Sequence, residues 1–258
     1  MNRSRVLAMA RRSTLAQVRN PGHWFILLVL PVVDALLFGS IGVAYGEGDL
    51  PVRLLITGTM LFHLIWQVTL AGSMGFLEEI WSRNVLNLLA TPLSEREMLA
   101  SLGLVGLVRT LVSIGLIGVV GAGFYSVAPG SVGWALIPGV AVLLVFGWAV
   151  TLMVIGLTMQ HGDSAEVFSW GVLVLLMPLS GVFYPVESLP AVLQPIARAV
   201  PLTQVFEATR EGLETGTVAW GRLGLGALGS LVILAVCTWF VSRQLRRFRA
   251  EGWVTRFT

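Results

Sequence analysis

Long apolar runs separated by short polar joints dominate the pattern of this chain. A helix crosses the hydrocarbon core of a bilayer with about 20 apolar residues, within a range of roughly 17–25. Six stretches fit: Trp24–Ala44, Leu54–Phe76, Leu99–Phe124, Val132–Met159, Val167–Phe183 and Leu223–Val241. The pattern predicts an all-α integral membrane protein with six transmembrane helices. Many glycines fall inside these runs, where a soluble helix would be weakened. Membrane helices use small residues to bring backbones close, and Ala35/Gly39, Ala71/Gly75 and Gly226/Ser230 have the small-x-x-x-small spacing for it. The basic residues before the first run, and Gly42-Val43-Ala44 near its end, suggest a cleaved leader. The run is longer than the 7–15 residues of a signal core, which argues for a retained span.

Three segments outside the runs carry structure of their own. Asn2–Asn20 is basic, with Arg5, Arg12 and Arg19 at seven-residue intervals on one helix side and Val6, Leu7, Ala10 and Val18 offering an apolar side. That pattern predicts a helix lying in the membrane interface, its arginines snorkelling to water. Phe76–Ser101 is charged at both ends, with a short helical stretch at Val85–Ala90 that Pro92 ends. Ser94 stands three residues before Glu97, the spacing of a capping box that starts the next helix. Ser180–Thr217 is too apolar for a solvated loop and is divided by Pro185, Pro190, Pro195 and Pro201. It predicts short helices re-entering the membrane, with a last piece over Leu202–Leu213 carrying Glu207 and Arg210.

Charge then orients the spans. If the helices alternate, twelve arginines fall on the side of the termini and four on the other, with Arg109 inside the third span. The positive-inside rule predicts cytoplasmic termini; the expected location of this multi-pass chain is the inner membrane of a prokaryote. Composition agrees, with 55% hydrophobic residues, 12% charged and a mean hydropathy of +0.82. All seventeen basic residues are arginine, so a lysine-containing P-loop and Schiff-base chemistry are excluded. The single cysteine, Cys237, excludes an intrachain disulfide. The basic residues flank apolar runs, so no nucleic-acid partner is expected. His23, His63 and His161 form no ligand spacing, and no metal site is expected.

Charge within a span costs about 2.5–3.5 kcal/mol or more on insertion scales and calls for a reason. Asp34 and Arg109 each lie ten residues into their spans from the cytoplasmic side, about 15 Å deep at 1.5 Å per residue. An Asp34–Arg109 ion pair or shared polar network is expected. His63 and Gln67, at i and i+4, share a face of the second span near the same depth. The four are candidates for a translocation path or a bundle-fixing network. Trp24, Trp81, Trp134, Trp220 and Trp253 fall at expected interfaces as belt residues.

NVLNLLATPLSEREML, residues 84–99, is similar to the cytoplasmic coupling region of type-2 ATP-binding-cassette exporter permeases, the membrane subunits of polysaccharide, teichoic-acid and drug exporters. SGVFYPVESLPAVLQPIARAVPLTQVFEATREGL, residues 180–213, resembles the stretch of that family running from the fifth span into its external re-entrant helices. The resemblance implies one permease domain over residues 1–258, with an interfacial helix at 2–20, a coupling region at 77–98 and a re-entrant region at 184–217. It implies a second permease copy, identical or paralogous, surrounding membrane lipid, and a separate cytoplasmic ATPase that holds the ATP and magnesium. The docking residues it implies are Val85, Leu88, Leu89, Pro92, Leu93, Ser94, Glu95 and Arg96. The activity it implies is outward movement of a glycan, a lipid-linked or amphipathic molecule, or a drug. The rival reading is an intramembrane enzyme acting on lipid or peptide. Ser180-Gly181 lacks a histidine on the sixth span, and the acids are scattered. A secondary transporter would show inverted repeats, and none is evident.

Overall fold

The computed structural model describes residues 2–45, 48–82, 91, 94–127, 136–162 and 166–251; at 45, 80, 95, 96, 166, 245 and 248–251 it describes the backbone alone. The described residues are helical throughout, without a strand. In order the helices are α1 (Arg3–Val18), α2 (Pro21–Trp24), a π turn (Phe25–Val29), α3 (Leu30–Tyr45), α4 (Leu50–Trp81), α5 (Glu95–Tyr125), α6 (Leu136–His161) and α7 (Glu166–Leu179). A 3-10 turn (Val186–Ser188), α8 (Gln194–Ala199), α9 (Pro201–Thr215) and α10 (Trp220–Glu251) complete the chain.

Among the described residues, five helical segments are long and apolar enough to cross a membrane: Pro21–Ala44, Leu50–Glu79, Glu97–Tyr125, Leu136–His161 and Trp220–Gln244. The remaining expected span, the fifth (Val167–Phe183), is shorter than its apolar run. Helix α7 has 14 residues, about 21 Å at 1.5 Å per residue, against a core of about 30 Å. It stops at Leu179, just past an internal Pro178, and the chain turns at Gly181 with φ +64°. Phe183, expected inside the helix, therefore lies beyond the turn.

Helix α4 is the hub. Of its most apolar window 78% is buried, against 22% for the first and last spans. It packs against α3, α5, α6, α7 and α9, while α10 lies on α6 and α9. The main apolar core joins Leu61, Leu64 and Ile65 of α4 to Leu143 and Phe146 of α6, Leu173 of α7 and Leu202 and Phe206 of α9. The small-residue pairs sit at close approaches. A methyl group on Gly39 would come within 2.3 Å of the Tyr125 ring, and one on Gly75 within 2.8 Å of Leu102. Trp24, Trp81 and Trp220 are exposed near helix ends, as belt residues would be. Trp134 and Trp253 lie outside the described residues.

Helix α1 starts at Asn2, whose side chain accepts from the Ser4 amide at 3.0 Å. Of the expected apolar side, Ala10 alone is buried. Leu7 and Val18 are exposed, and the buried stripe is Met9, Ala10, Ser13 and Gln17. Ala10 packs with Ala71 of α4 and Val105 of α5. The groove between those helices accepts small and polar side chains, which leaves the larger hydrocarbons facing outward.

Candidate functional site

The polar residues expected inside the spans converge on α4, though with other partners. Asp34 Oδ2 lies 2.9 Å from His63 Nε2. With Asp34 ionised its oxygen accepts, and His63 Nε2 is the donor. The ring's Nδ1 is buried without a partner. Arg109 is 5% exposed; its Nε donates to Gln67 Oε1 at 3.2 Å and its Nη1 to Gln17 Oε1 at 3.3 Å. The direct Asp34–Arg109 pair therefore does not form. Depth matched the two charges, but rotation about the helix axes decides contact. His63 and Gln67, one turn apart, each take one of them.

Gln67 has a second task that follows from the π turn. In that turn the Leu30 amide donates to Phe25 O, five residues back. The next carbonyl, Ile26 O, would need the amide of residue 31, which is Pro31 and has none. Gln67 Nε2 donates to Ile26 O at 3.2 Å instead. One amide thus satisfies the first span and holds the cation of the third. π turns concentrate at functional positions, and this one lies between α1 and Asp34.

A clamp of charges fixes α1 to the neighbouring ends of α4 and α5. Arg12 makes a two-pronged pair with Glu79, Nη1 to Oε1 at 2.7 Å and Nη2 to Oε2 at 3.0 Å. Glu97 Oε1 accepts from the Asn2 amide at 2.6 Å, and its Oε2 lies 3.9 Å from Arg5. His23 Nε2 lies 3.1 Å from Glu78. The expected capping box is present: the Glu97 amide donates to Ser94 Oγ at 3.3 Å and the Ser94 amide to Glu97 Oε2 at 2.9 Å. Of the other expected docking residues, Val85, Leu88, Leu89, Pro92 and Leu93 lie outside the described residues, and Glu95 and Arg96 are described as helix backbone. Sequence reasoning missed Gln17, Arg12, Glu78, Glu79 and Pro31 as members of this network. The seven-residue repeat of Arg5 and Arg12 was the available signal, since both reach acids at the span ends.

At the opposite end of α4, prolines punctuate the chain as expected. Pro185 precedes the 3-10 turn, Pro195 sits in the first turn of α8, and Pro201 begins α9. The Leu193 amide donates to Pro190 O at 2.8 Å. Arg210 Nη2 donates to Gly181 O at 3.0 Å, tying α9 to the turn after α7. Glu207 and Glu211 both pair with Arg222 of α10, Glu211 at 3.2 Å. Arg198 lies 3.2 Å from Glu187. That carboxyl is held below its usual range, first by its own backbone amide and then by Arg198.

The family model for the ABC-2 type transporter matches residues 4–213, from α1 to near the end of α9. The chain belongs to the ABC-2 type transporter family. No curated protein matches it. The ABC-2 chain is thus the membrane component of a transporter, a multi-pass transport subunit rather than an enzyme. Permeases of this family typically work with an ABC ATPase. The matched residues run from within α1 through the polar line on α4 to Leu213 near the end of α9.

Proposed function

We propose that this permease pairs with a second copy and with a separate cytoplasmic ATPase to export an amphipathic, lipid-linked or glycan molecule or a drug. Residues 85–96 serve as the docking element, with both termini in the cytoplasm and six crossings, α7 being the short fifth. The α8–α9 segment re-enters from outside. Closure of the ATPase on ATP displaces the docking element, and the force enters the bundle at the start of α5 and at α1.

The observation that carries this reading is the charge clamp beside the docking segment. Arg12–Glu79 and the Asn2–Glu97 bond join α1 to the two helices that flank residues 83–93. From α1 the line continues through Gln17, Arg109 and Gln67 to the carbonyl of Ile26. A push on the docking element thereby reaches the π turn of the first span. The test is purification in lipid with a candidate ABC ATPase co-expressed. ATP hydrolysis is expected to depend on this chain and to rise with the correct cargo; an ATPase that neither co-purifies nor responds would refute the assignment of partner.

A further inference from the structure

A cleft of about 240 Å³ opens between the first turns of α4, the turn after α7 and the face of α9. Its walls are mostly hydrocarbon, among them Leu54, Leu55, Val182 and Phe206. Two charged residues of α9, Arg210 and Glu214, enter the same cleft. They are one helical turn apart and so share a face. They form no salt bridge with each other, in contrast to Glu207 and Glu211, which both engage Arg222. Arg210 spends one donor on Gly181 O and, with five N–H groups on a guanidinium, keeps others to offer. Glu214 is exposed at the mouth of the cleft, and its charge acts on Arg210. An arginine and a carboxylate one turn apart on one wall of an apolar cleft, near each other but without a direct salt bridge, match a head group that carries both charges.

We propose that this cleft binds an amphiphile with a zwitterionic phosphate–ammonium head group, the phosphate on Arg210, the ammonium on Glu214 and an aliphatic chain along Leu54, Leu55 and Phe206. The cavity is smaller than the roughly 300–1,000 Å³ of drug-sized sites, which suits a head group and the start of one chain. A purely anionic ligand would meet Glu214, and a purely cationic one Arg210, so each is disfavoured. The same chemistry comes from two sources, a lipid of the surrounding bilayer or the exported molecule; the second rests on the exporter reading above.

The test uses the full chain, without ATPase, in nanodiscs of phosphatidylglycerol. Diazirine-bearing lysophosphatidylethanolamine and lysophosphatidylglycerol are the probes, and cross-links are mapped by peptide. The ethanolamine probe is expected to label residues 182–185 and 206–214 severalfold more than the glycerol probe. Arg210→Gln should cut labelling by both about tenfold, the scale of one charge-assisted hydrogen bond. Because that change also frees Gly181 O, Glu214→Gln is the second variant; its side chain is exposed, and it should lower ethanolamine labelling to the glycerol level. Equal labelling by both probes in the unmodified chain, or a preference that survives Glu214→Gln, would overturn the site. Such a failure leaves the exporter reading standing, since no transport is measured. With the ATPase added, ATP-driven movement of NBD-phosphatidylethanolamine, read by dithionite quenching, marks the occupant as cargo. Binding without movement marks it as a bilayer lipid, and both outcomes keep the site.

Discussion

Gln67 is the residue on which most of the internal polar network turns. It repairs the hydrogen-bonding gap that Pro31 opens at Ile26 O and accepts from the buried Arg109. Removing one partner of a buried polar group costs about 1–3 kcal/mol, whereas interhelical bonds in membranes average nearer 0.6. Gln67→Leu strands both a carbonyl and an arginine donor, so the upper range applies and thermal unfolding in detergent should show a clear fall in Tm. Pro31→Ala restores the amide that Ile26 O lacks. The double variant Pro31→Ala/Gln67→Leu should therefore lose less stability than the sum of the single changes, a coupling that a double-mutant cycle measures. Strict additivity would mean that Gln67 does not act through the proline gap.

Among the elements, α1 behaves as part of the bundle rather than as a float on its surface. Its fastening to α4 is a two-pronged pair in which Arg12 is 48% and Glu79 10% exposed. Screening at the exposed arginine limits the loss from Arg12→Ala to about 1 kcal/mol. If α1 transmits force, the functional loss will be larger: ATP hydrolysis should persist while transport per ATP falls. The exchange Arg12→Glu/Glu79→Arg should recover transport, and failure of that rescue alongside wild-type folding would assign the pair to stability alone. The extent of the long helices was legible because apolar runs of about 20 residues admit little else. That Asp34, His63, Gln67 and Arg109 lie near the same level of the bundle was legible too, since counting along the runs brings them together. Their pairing was not, because a π turn changes the rotation of everything after it and leaves no mark in hydropathy. The packed face of α1, Ala10 apart, was missed for a related reason. Met9, Ala10, Ser13 and Gln17 look unlike a hydrophobic stripe, yet they fit a groove built for small and polar groups.

For the whole molecule, the proposed orientation makes a direct labelling prediction. Cys237 is 6% exposed, so the native chain supplies little background thiol. Single cysteines at Ser4 and Asp49, both exposed, report the two ends of the bundle. On intact cells a membrane-impermeant maleimide should label Asp49→Cys and spare Ser4→Cys until the membrane is opened. Reversed labelling would invert the molecule and place the charge clamp outside. The π turn between Trp24 and Leu30 has a consequence at this scale as well. It acts as one surplus residue wound into the first span, and each residue of an α-helix advances about 100°. Deleting Leu27 would remove that surplus: the span would wind as ordinary α-helix with Asp34 still toward His63, and because Ile26 O would then meet Pro31 four residues on, the shorter helix would still depend on Gln67.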